Sequence, residues 1–324
     1  NNYMLQAIKD FPKQFKFQPI IKNRKNYKRA KKFIVLGMGG SHLAADIIKA
    51  TYPGLQIIIR SNYGLPNISD RELKEYLIIA SSYSGNTEEV VDGMKKAYNK
   101  KLNIICLAVG GKIIRFAKKN EVPYIQIPDT DIQPRSALGL SLRAMLKAMG
   151  LNKTLASTDI VATKLRSGVY EKRGKKIARL LKNKVPIVYT SEANFDLAYN
   201  WKIKLNETGK IPAFYNILPE LNHNEMNGFD VVTKTRPLTK NFCFIFLHDS
   251  SDHPKVIKRM KVLARLYKKR KLKIISLKID NPNKWLKIFN NLSLADWVSY
   301  YTAINYGRDP EQVPLVEEFK NLIK

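Results

Sequence analysis

Short apolar segments that alternate with helical ones limit most strongly what this chain can fold into. Five such segments in the first half have the length and composition of β-strands, and mostly helical or turn segments separate them. A parallel sheet covered by helices on both faces accounts for this alternation. The predicted strands are Lys32–Leu36, Leu55–Ile59, Tyr76–Ala80, Asn103–Ala108 and Val122–Ile127.

A second α/β pattern follows, and the chain of 324 residues is long enough for two domains of ordinary size. A basic, mostly helical connector over Gly150–Lys184 marks the boundary. We therefore expect a first domain with an N-terminal arm over residues 1–150, and a second domain over residues 151–324 whose terminal helix begins at Asp309–Pro310. The predicted strands here are Pro186–Thr190, Asn241–Leu247 and Lys271–Lys278, with helices near Asn194–Asn206, Pro254–Lys269 and Lys284–Tyr306.

A turn rich in hydroxyl groups, SYSGNT, follows the third predicted strand. Thr87 is placed to cap a helix predicted over Glu88–Asn99. A helix N-terminus offers unpaired N–H groups and a partial positive charge, so the hydroxyls of Ser82, Ser84 and Thr87 can bind a phosphate there. A polar connection with a good cap explains the same residues, and the turn alone leaves both interpretations open.

A glycine-rich turn, GMGGS, follows the first predicted strand, and Gly37, Gly39 and Gly40 permit a close approach of the backbone. The spacing is not the G-x-G-x-x-G of dinucleotide-binding proteins, and Arg60 ends the second strand where those proteins carry an acidic residue. We therefore set dinucleotide binding aside. Both turns lie at the carboxyl ends of predicted parallel strands, so they can face one cleft.

The formal net charge of +30 favours anionic partners, from sugar phosphates to nucleic acid. In the basic run over residues 255–273, however, apolar residues recur at helical spacing from Val256 to Tyr267. The lysines and arginines of that run therefore lie largely on a solvated face. General surface basicity explains the charge better than nucleic-acid binding, for which no module signature is present.

Compartment and metal content are predicted from what the sequence lacks. No apolar run reaches the ~18–20 residues that a membrane-spanning helix needs, and no secretory signal is visible at the N-terminus. Cys106 and Cys243 lie in apolar, strand-like runs where buried free thiols are expected. No zinc-ligand spacing is present. These features predict a cytoplasmic protein without a membrane partner or a bound metal.

The segment from Trp201 to Asp230 concentrates side chains suited to proton transfer. It holds carboxylates and an imidazole among asparagines, at Glu207, Glu220, His223 and Glu225. Carboxylate and imidazole are the common general acids and bases near neutral pH. Because Asn and His also cap turns, these residues alone leave catalysis and a structural role open.

Arg135 is the other charged residue of interest. It stands in a loop that contains proline, just before a helix predicted from about Ser136. Its ordinary role would be a surface ion pair, for instance with Asp129 or Asp131.

Five motifs, in chain order, resemble those of the bifunctional phosphoglucose/phosphomannose isomerases, a branch of the sugar isomerase (SIS) superfamily: GMGGS, SYSGNTEE, QPRSALG, LNETGKIPA and PELNHNE. SYSGNT alone indicates only the phosphosugar-binding fold, whereas PELNHNE together with QPRSALG is much more specific. The resemblance covers nearly the whole chain. It implies two SIS-type, flavodoxin-like three-layer αβα domains, each with a mainly parallel sheet, and a homodimer whose active sites lie at the subunit interface.

The resemblance also implies residues that bind the substrate, a hexose 6-phosphate. Gly40 and Ser41 would lie beside the sugar, and Ser82, Ser84 and Thr87 would hold its phosphate. No metal or redox cofactor is required for the chemistry that the family performs.

Four further residues receive catalytic roles from the same resemblance. Glu207 would be the base that moves a proton between C1 and C2, and Arg135 would stabilise the enediolate. His223, reaching the site from the partner subunit, would assist ring opening, as would Lys320 in the terminal helix. A family threonine linked to acceptance of the mannose epimer has no counterpart in Glu311–Val313. The resemblance therefore implies the phosphoglucose activity more strongly than the phosphomannose activity.

Two other functions use part of the same sequence. A non-catalytic phosphosugar-binding protein would need the serine turn but not Glu207, His223 and Arg135 together. An isomerase for another sugar phosphate, such as a pentose phosphate, is disfavoured by the two-domain length and by PELNHNE.

Overall fold

The chain folds into two compact units, each with its own parallel sheet. A computed structural model describes residues 3–323, beginning with helix α1 (Tyr3–Asp10). The N-terminal unit comprises Asp10–Leu165. The C-terminal unit comprises residues 3–9 together with residues 166–323.

The N-terminal unit contains a five-stranded sheet in which all pairs are parallel, with the order β2-β1-β3-β4-β5. The prediction of five strands is thus confirmed. The strands are β1 (Lys32–Leu36), β2 (Gln56–Arg60), β3 (Tyr76–Ser81), β4 (Asn103–Ala108) and β5 (Tyr124–Gln126). The helices are α2 (Leu43–Thr51), α3 (Asp70–Leu73), α4 (Glu88–Asn99), α5 (Gly111–Lys119), α6 (Leu138–Ala148), α7 (Asn152–Ser157) and α8 (Asp159–Lys164).

These strands are apolar along their length because helices cover both faces of the sheet. Ile34, Ile78 and Ile104 pack with α4 and α5 in one core cluster. Alternate residues such as Phe33 and Leu77 are equally buried but point to the opposite face. Helices α2 and α6 contact each other and the strands β2 and β4 and add no residue to that cluster, so they cover this second face. The result is the predicted three-layer αβα arrangement.

The division into domains 1–150 and 151–324 remains a prediction, and the compact units differ from it in two places. The boundary between the units falls between Leu165 and Arg166. The N-terminal arm, expected with the first domain, packs Met4 and Ile8 against Trp297 and Tyr300 of the C-terminal unit. Burial of these apolar side chains supplies the physical reason.

A buried arginine links the two short helices after residue 150 to the N-terminal unit. Arg143, on α6, is 1% exposed, and its Nε donates to the carbonyl oxygen of Phe17 at 2.5 Å. Its Nη1 donates to Thr158 Oγ1 at 2.8 Å and lies 2.6 Å from Asp159 Oδ1, at the start of α8. These bonds explain why the unit extends beyond residue 150.

The C-terminal unit contains a four-stranded parallel sheet with the order β7-β6-β8-β9. Its strands are β6 (Val185–Ser191), β7 (Phe214–Leu218), β8 (Phe242–His248) and β9 (Lys273–Lys278). Its main helices are α9 (Glu171–Leu180), α10 (Phe195–Glu207), α11 (Arg236–Thr239), α12 (Pro254–Lys269), α13 (Lys284–Asn305) and α14 (Pro314–Leu322). As predicted, Met260 and Tyr267 on α12 are buried, and most of its basic residues are exposed.

Strand β7 was missed by the sequence analysis, which identified only three strands in this half. It lies at the edge of the sheet, next to β6. Phe214 and Tyr215 are 54% and 38% exposed. A half-exposed edge strand lacks the continuous apolar run by which the buried strands were identified.

The terminal helix begins at Pro314 rather than at Asp309–Pro310, so that prediction was wrong. The Oδ1 atom of Asp309 accepts a hydrogen bond from the backbone N–H of Glu311 at 2.8 Å, which stabilises a turn. Pro314 then occupies the first helical position, where its missing N–H is not needed. Among residues 3–323, no helix combines the length and apolar character needed to cross a membrane.

We expect Arg143→Met to lower the free energy of unfolding by about 3 kcal/mol, because a buried carbonyl and hydroxyl lose a charged donor. Urea unfolding followed by circular dichroism measures the change. Lys147→Met, on the same helix, is the matched control and should shift the value by at most ~0.5 kcal/mol. Equal midpoints for the two variants would show that Arg143 does not stabilise the unit.

Candidate active site

The hydroxyl group of Ser82 is the centre of the turn between β3 and α4. Ser82 is fully buried, and its Oγ accepts from the backbone N–H groups of Gly85 at 3.1 Å and Thr87 at 3.4 Å. It also shares a hydrogen bond of 2.8 Å with Thr87 Oγ1. Two of the predicted phosphate-binding hydroxyls are therefore in contact with each other.

Thr87 occupies the predicted N-cap position of α4, but its side chain makes no capping hydrogen bond. The expected cap was therefore wrong in its chemistry, because the hydroxyl binds Ser82 instead. The first N–H groups of α4 are consequently not capped by this side chain. Ser84, by contrast, is exposed, and its Oγ accepts from the backbone N–H of Asn86 at 3.3 Å.

The loop between β4 and α5 packs against the serine turn and forms hydrogen bonds with it. Gly85 has a φ of +72°, and a Cβ atom there would overlap the carbonyl oxygen of Gly110. The backbone N–H of Val109 donates to the carbonyl oxygen of Tyr83 at 2.9 Å, and that of Lys112 donates to Asn86 Oδ1 at 3.0 Å. Sequence reasoning missed this loop, although a glycine pair directly after a strand is a recognisable pattern.

The glycine turn after β1 lies against the serine turn, as predicted. Ser81 Oγ donates to the carbonyl oxygen of Ser41 at 2.8 Å, and Ser41 Oγ accepts from the backbone N–H of Tyr83 at 3.0 Å. Gly40 lies next to Arg135, since a Cβ atom on Gly40 would be 3.0 Å from the backbone nitrogen of Arg135. The N-terminal unit thus brings together the predicted residues Gly40, Ser41 and Arg135 and the serine turn.

Arg135 lies in a short 3-10 turn, Pro134–Ser136, before α6, which begins at Leu138 rather than at about Ser136. The residue is only 2% exposed. Arg135 is therefore not a surface residue, in contrast to the surface position that its ordinary role would require. A guanidinium stays protonated even when buried, so Arg135 provides a fixed positive charge beside the glycine turn.

Glu207 is the last residue of α10, a helix held firmly in the C-terminal unit. Trp201 Nε1 donates to Asn291 Oδ1 at 2.8 Å, and Lys204 Nζ lies 2.5 Å from Asp296 Oδ1 in a buried ion pair. Beyond the helix, Lys210 Nζ donates to the carbonyl oxygen of Glu207. The helix before Glu207 and the turn after it are therefore both held in place.

His223 and Lys320 lie on two other elements of the C-terminal unit. His223 ends a 3-10 turn, Glu220–His223, that follows β7, and its side chain is exposed. Lys320 lies on α14, is exposed, and forms an ion pair of 2.7 Å with Glu317. The predicted acid–base residues of this unit therefore come from the end of a helix, a loop and a terminal helix.

Possible metal ligands and the two thiols are other groups that could carry chemistry. Residues 3–323 contain no group of three or more His, Cys, Asp or Glu residues that could hold a metal ion. Cys106 and Cys243 are free and buried, as predicted. Burial raises the pKa of each thiol to about 12, so both stay protonated and are poor nucleophiles.

We expect Ser82→Ala to lower the free energy of unfolding by about 1–2 kcal/mol, since the backbone N–H and the hydroxyl of Thr87 lose their partner, whereas the N–H of Gly85 keeps its bond to the carbonyl oxygen of residue 82. Ser84→Ala, which changes an exposed hydroxyl of the same turn, should change it by at most ~0.5 kcal/mol. Urea unfolding of the two variants tests the difference. Similar losses for both would contradict the central role of Ser82 in this turn.

Comparison with known proteins identifies the family. Residues 170–323 match the bacterial phospho-glucose isomerase C-terminal SIS domain. The chain is 30% identical to a bifunctional phosphoglucose/phosphomannose isomerase from Caldicellulosiruptor bescii and 29% identical to one from Aquifex aeolicus, with 98% of each chain covered in both cases. A crystal structure of a hypothetical protein from Thermus thermophilus has the same fold, with a TM-score of 0.70 at 15% identity over 99% of this chain and 90% of that one. This chain belongs to the bifunctional phosphoglucose/phosphomannose isomerase family.

Proposed function

We propose that this protein is an aldose–ketose isomerase. It interconverts glucose 6-phosphate, and mannose 6-phosphate as a second substrate, with fructose 6-phosphate through a cis-enediol. The observation that carries the proposal is the 30% identity over 98% of both chains to a relative named for these two reactions. Free, buried cysteines fit a reducing compartment, which supports a cytoplasmic enzyme.

The serine turn binds the phosphate of the substrate in this proposal. Ser82, Ser84 and Thr87 supply hydroxyls at the N-terminus of α4, where the helix dipole favours an anion. Because Ser82 and Thr87 bond to each other, their hydroxyls are already held in one place. Gly40 and Ser41 lie beside the sugar, and the absence of a side chain at Gly40 lets the backbone of Arg135 pack closely against it.

Glu207 transfers the proton between the two carbon atoms. In the open-chain aldose, its carboxylate removes the proton from C2, and the C1 carbonyl oxygen gains negative charge. The proton of the C2 hydroxyl then passes to the oxygen on C1, and the same carboxyl group returns its proton to C1 as the C2 carbonyl forms. Arg135 stabilises the negative enediolate, since its buried charge is worth more than the same charge in water. The fixed backbone around Glu207 supports this role.

Ring opening precedes the proton transfer, because both hexose phosphates are mostly cyclic. His223 and Lys320 serve as the acid–base pair for this step. Both side chains are exposed in the single chain, which suits groups that act on a substrate held by a second copy. We therefore propose a homodimer in which His223 acts from the partner subunit.

The purified protein should convert fructose 6-phosphate into glucose 6-phosphate and, more slowly, into mannose 6-phosphate. Two coupled assays that follow each aldose separately measure the rates, and a turnover above ~1 s⁻¹ for the glucose product is typical of enzymes. Conversion to neither aldose would overturn the proposal and favour a phosphosugar-binding protein.

We expect Glu207→Gln to reduce kcat by roughly 10²- to 10⁴-fold, because the amide cannot accept the proton. Binding of the sugar phosphate should change little, since the phosphate is held by other residues. The matched control is Glu192→Gln, which changes the carboxylate just before α10 and should leave kcat near that of the wild type. Near-normal turnover in the Glu207 variant would remove this residue from the role of base.

A further inference from the structure

The exposed His223 lies between two anchored parts of one loop. This loop, defined here as residues 219–229, follows β7. Before His223, Leu221 is fully buried in the core of the C-terminal unit. After it, Met226 and Phe229 pack against the same core cluster. His223 is thus an exposed side chain on a backbone held at both ends.

A single carboxylate connects the loop to the sheet. Glu225 Oε1 accepts a hydrogen bond from the hydroxyl of Tyr189 on β6, and its Oε2 accepts from Asn216 Nδ2 on β7 at 2.5 Å. Tyr189 and Asn216 are register partners in the parallel sheet. The two oxygens of Glu225 therefore bridge neighbouring strands, two residues away from His223.

The bond from Tyr189 cannot easily be replaced. Tyr189 is fully buried, and burial, with further contributions from Tyr267 and Glu225, raises the pKa of its hydroxyl, so the group stays protonated and must donate. The hydroxyl of Tyr267 is 3.5 Å away, at the limit of a hydrogen bond. Glu225 is therefore the main acceptor for this buried donor, and losing an acceptor costs about 1–3 kcal/mol.

Hydrogen bonds of Asn224 connect Glu225 to the backbone next to His223. Asn224 Oδ1 accepts from the backbone N–H of Glu225 at 2.5 Å, and Asn224 Nδ2 donates to Glu220 Oε1 at 2.8 Å. His223 is one of the three residues that the bond between Asn224 and Glu220 spans. These bonds connect the backbone next to His223 to Glu225 and Glu220.

We propose that Glu225 is a positioning residue for ring opening and acts through His223. The inference rests on the proposed function, in which His223 assists that step. Ring opening removes the proton from the C1 hydroxyl and delivers a proton to the ring oxygen, while the bond between C1 and O5 breaks and the C1 carbonyl forms. Because a displacement of about 1 Å can slow such a transfer by ~10²-fold, an exposed histidine needs a rigid support.

An isotope effect separates ring opening from the later proton transfer. Glucose 6-phosphate labelled with deuterium at C2 slows only the step in which Glu207 removes that proton. If ring opening becomes slower than this step, the isotope effect on kcat falls toward one. If the base itself is impaired, as in Glu207→Gln, the isotope effect stays at least as large as in the wild type.

We expect Glu225→Gln to reduce kcat by roughly 10- to 10²-fold and to lower the isotope effect toward one. Tyr189→Phe, which keeps the carboxylate but removes its buried donor, should change both values in the same direction and by less. Asp230→Asn is the matched control, because this carboxylate lies just after the loop and pairs with Arg270 at the surface. It should leave both values unchanged.

A double variant tests geometry directly. E225Q combined with N216D reverses donor and acceptor, so the amide of residue 225 donates to the new carboxylate while the total charge is conserved. This variant should recover most of the lost turnover and of the isotope effect. A purely structural role predicts that the urea midpoint recovers whereas the isotope effect never changes in any of these variants.

The outcomes separate the two proposals. A wild-type isotope effect in E225Q, together with a reduced one in His223→Gln, overturns the positioning role and leaves the proposed function intact. A wild-type isotope effect in both variants would show that neither His223 nor Glu225 assists ring opening. Isotope effects that fall in both variants and recover in the double variant support Glu225 as the residue that positions His223.

Discussion

The parallel pairing of β1 with β3 is the constraint on which the candidate site in the N-terminal unit depends. Leu36 and Ala80 are register partners, so both strands end at the same edge of the sheet. The glycine turn and the serine turn must therefore meet, and Ser41 joins them through two hydrogen bonds. In an antiparallel pair the two turns would lie at opposite ends, and no common site would form.

The proposed function assigns different kinds of chemistry to the two units. In the N-terminal unit, backbone groups and buried hydroxyls of the serine turn hold one another, and such preorganisation lowers the entropic cost of the phosphate binding that we propose there. In the C-terminal unit, acid–base groups lie at the ends of elements, where side chains are accessible. Such accessible groups need support from the core, which α10 provides for Glu207 and Glu225 provides for the His223 loop.

Much of this arrangement could be predicted from local patterns. The apolar strands of the first sheet and the polar turns after β1 and β3 were placed correctly, because buried parallel strands leave long apolar runs. The half-exposed strand β7 left no such run and was missed. The predicted capping bond of Thr87 was also wrong. Its hydroxyl bonds instead to Ser82, which lies at the end of the turn that follows β3.

The sequence by itself determined the fold class, which follows from periodicity, and the family and the candidate site residues, which follow from motifs of adjacent residues that resemble those of the family. Only the tertiary structure decided that Arg135 is buried beside Gly40, and that Glu225 accepts a hydrogen bond from Tyr189. Each of these contacts joins residues far apart in the chain. A hydrogen bond depends on distance and angle in space, which local sequence patterns do not specify until the strands have paired.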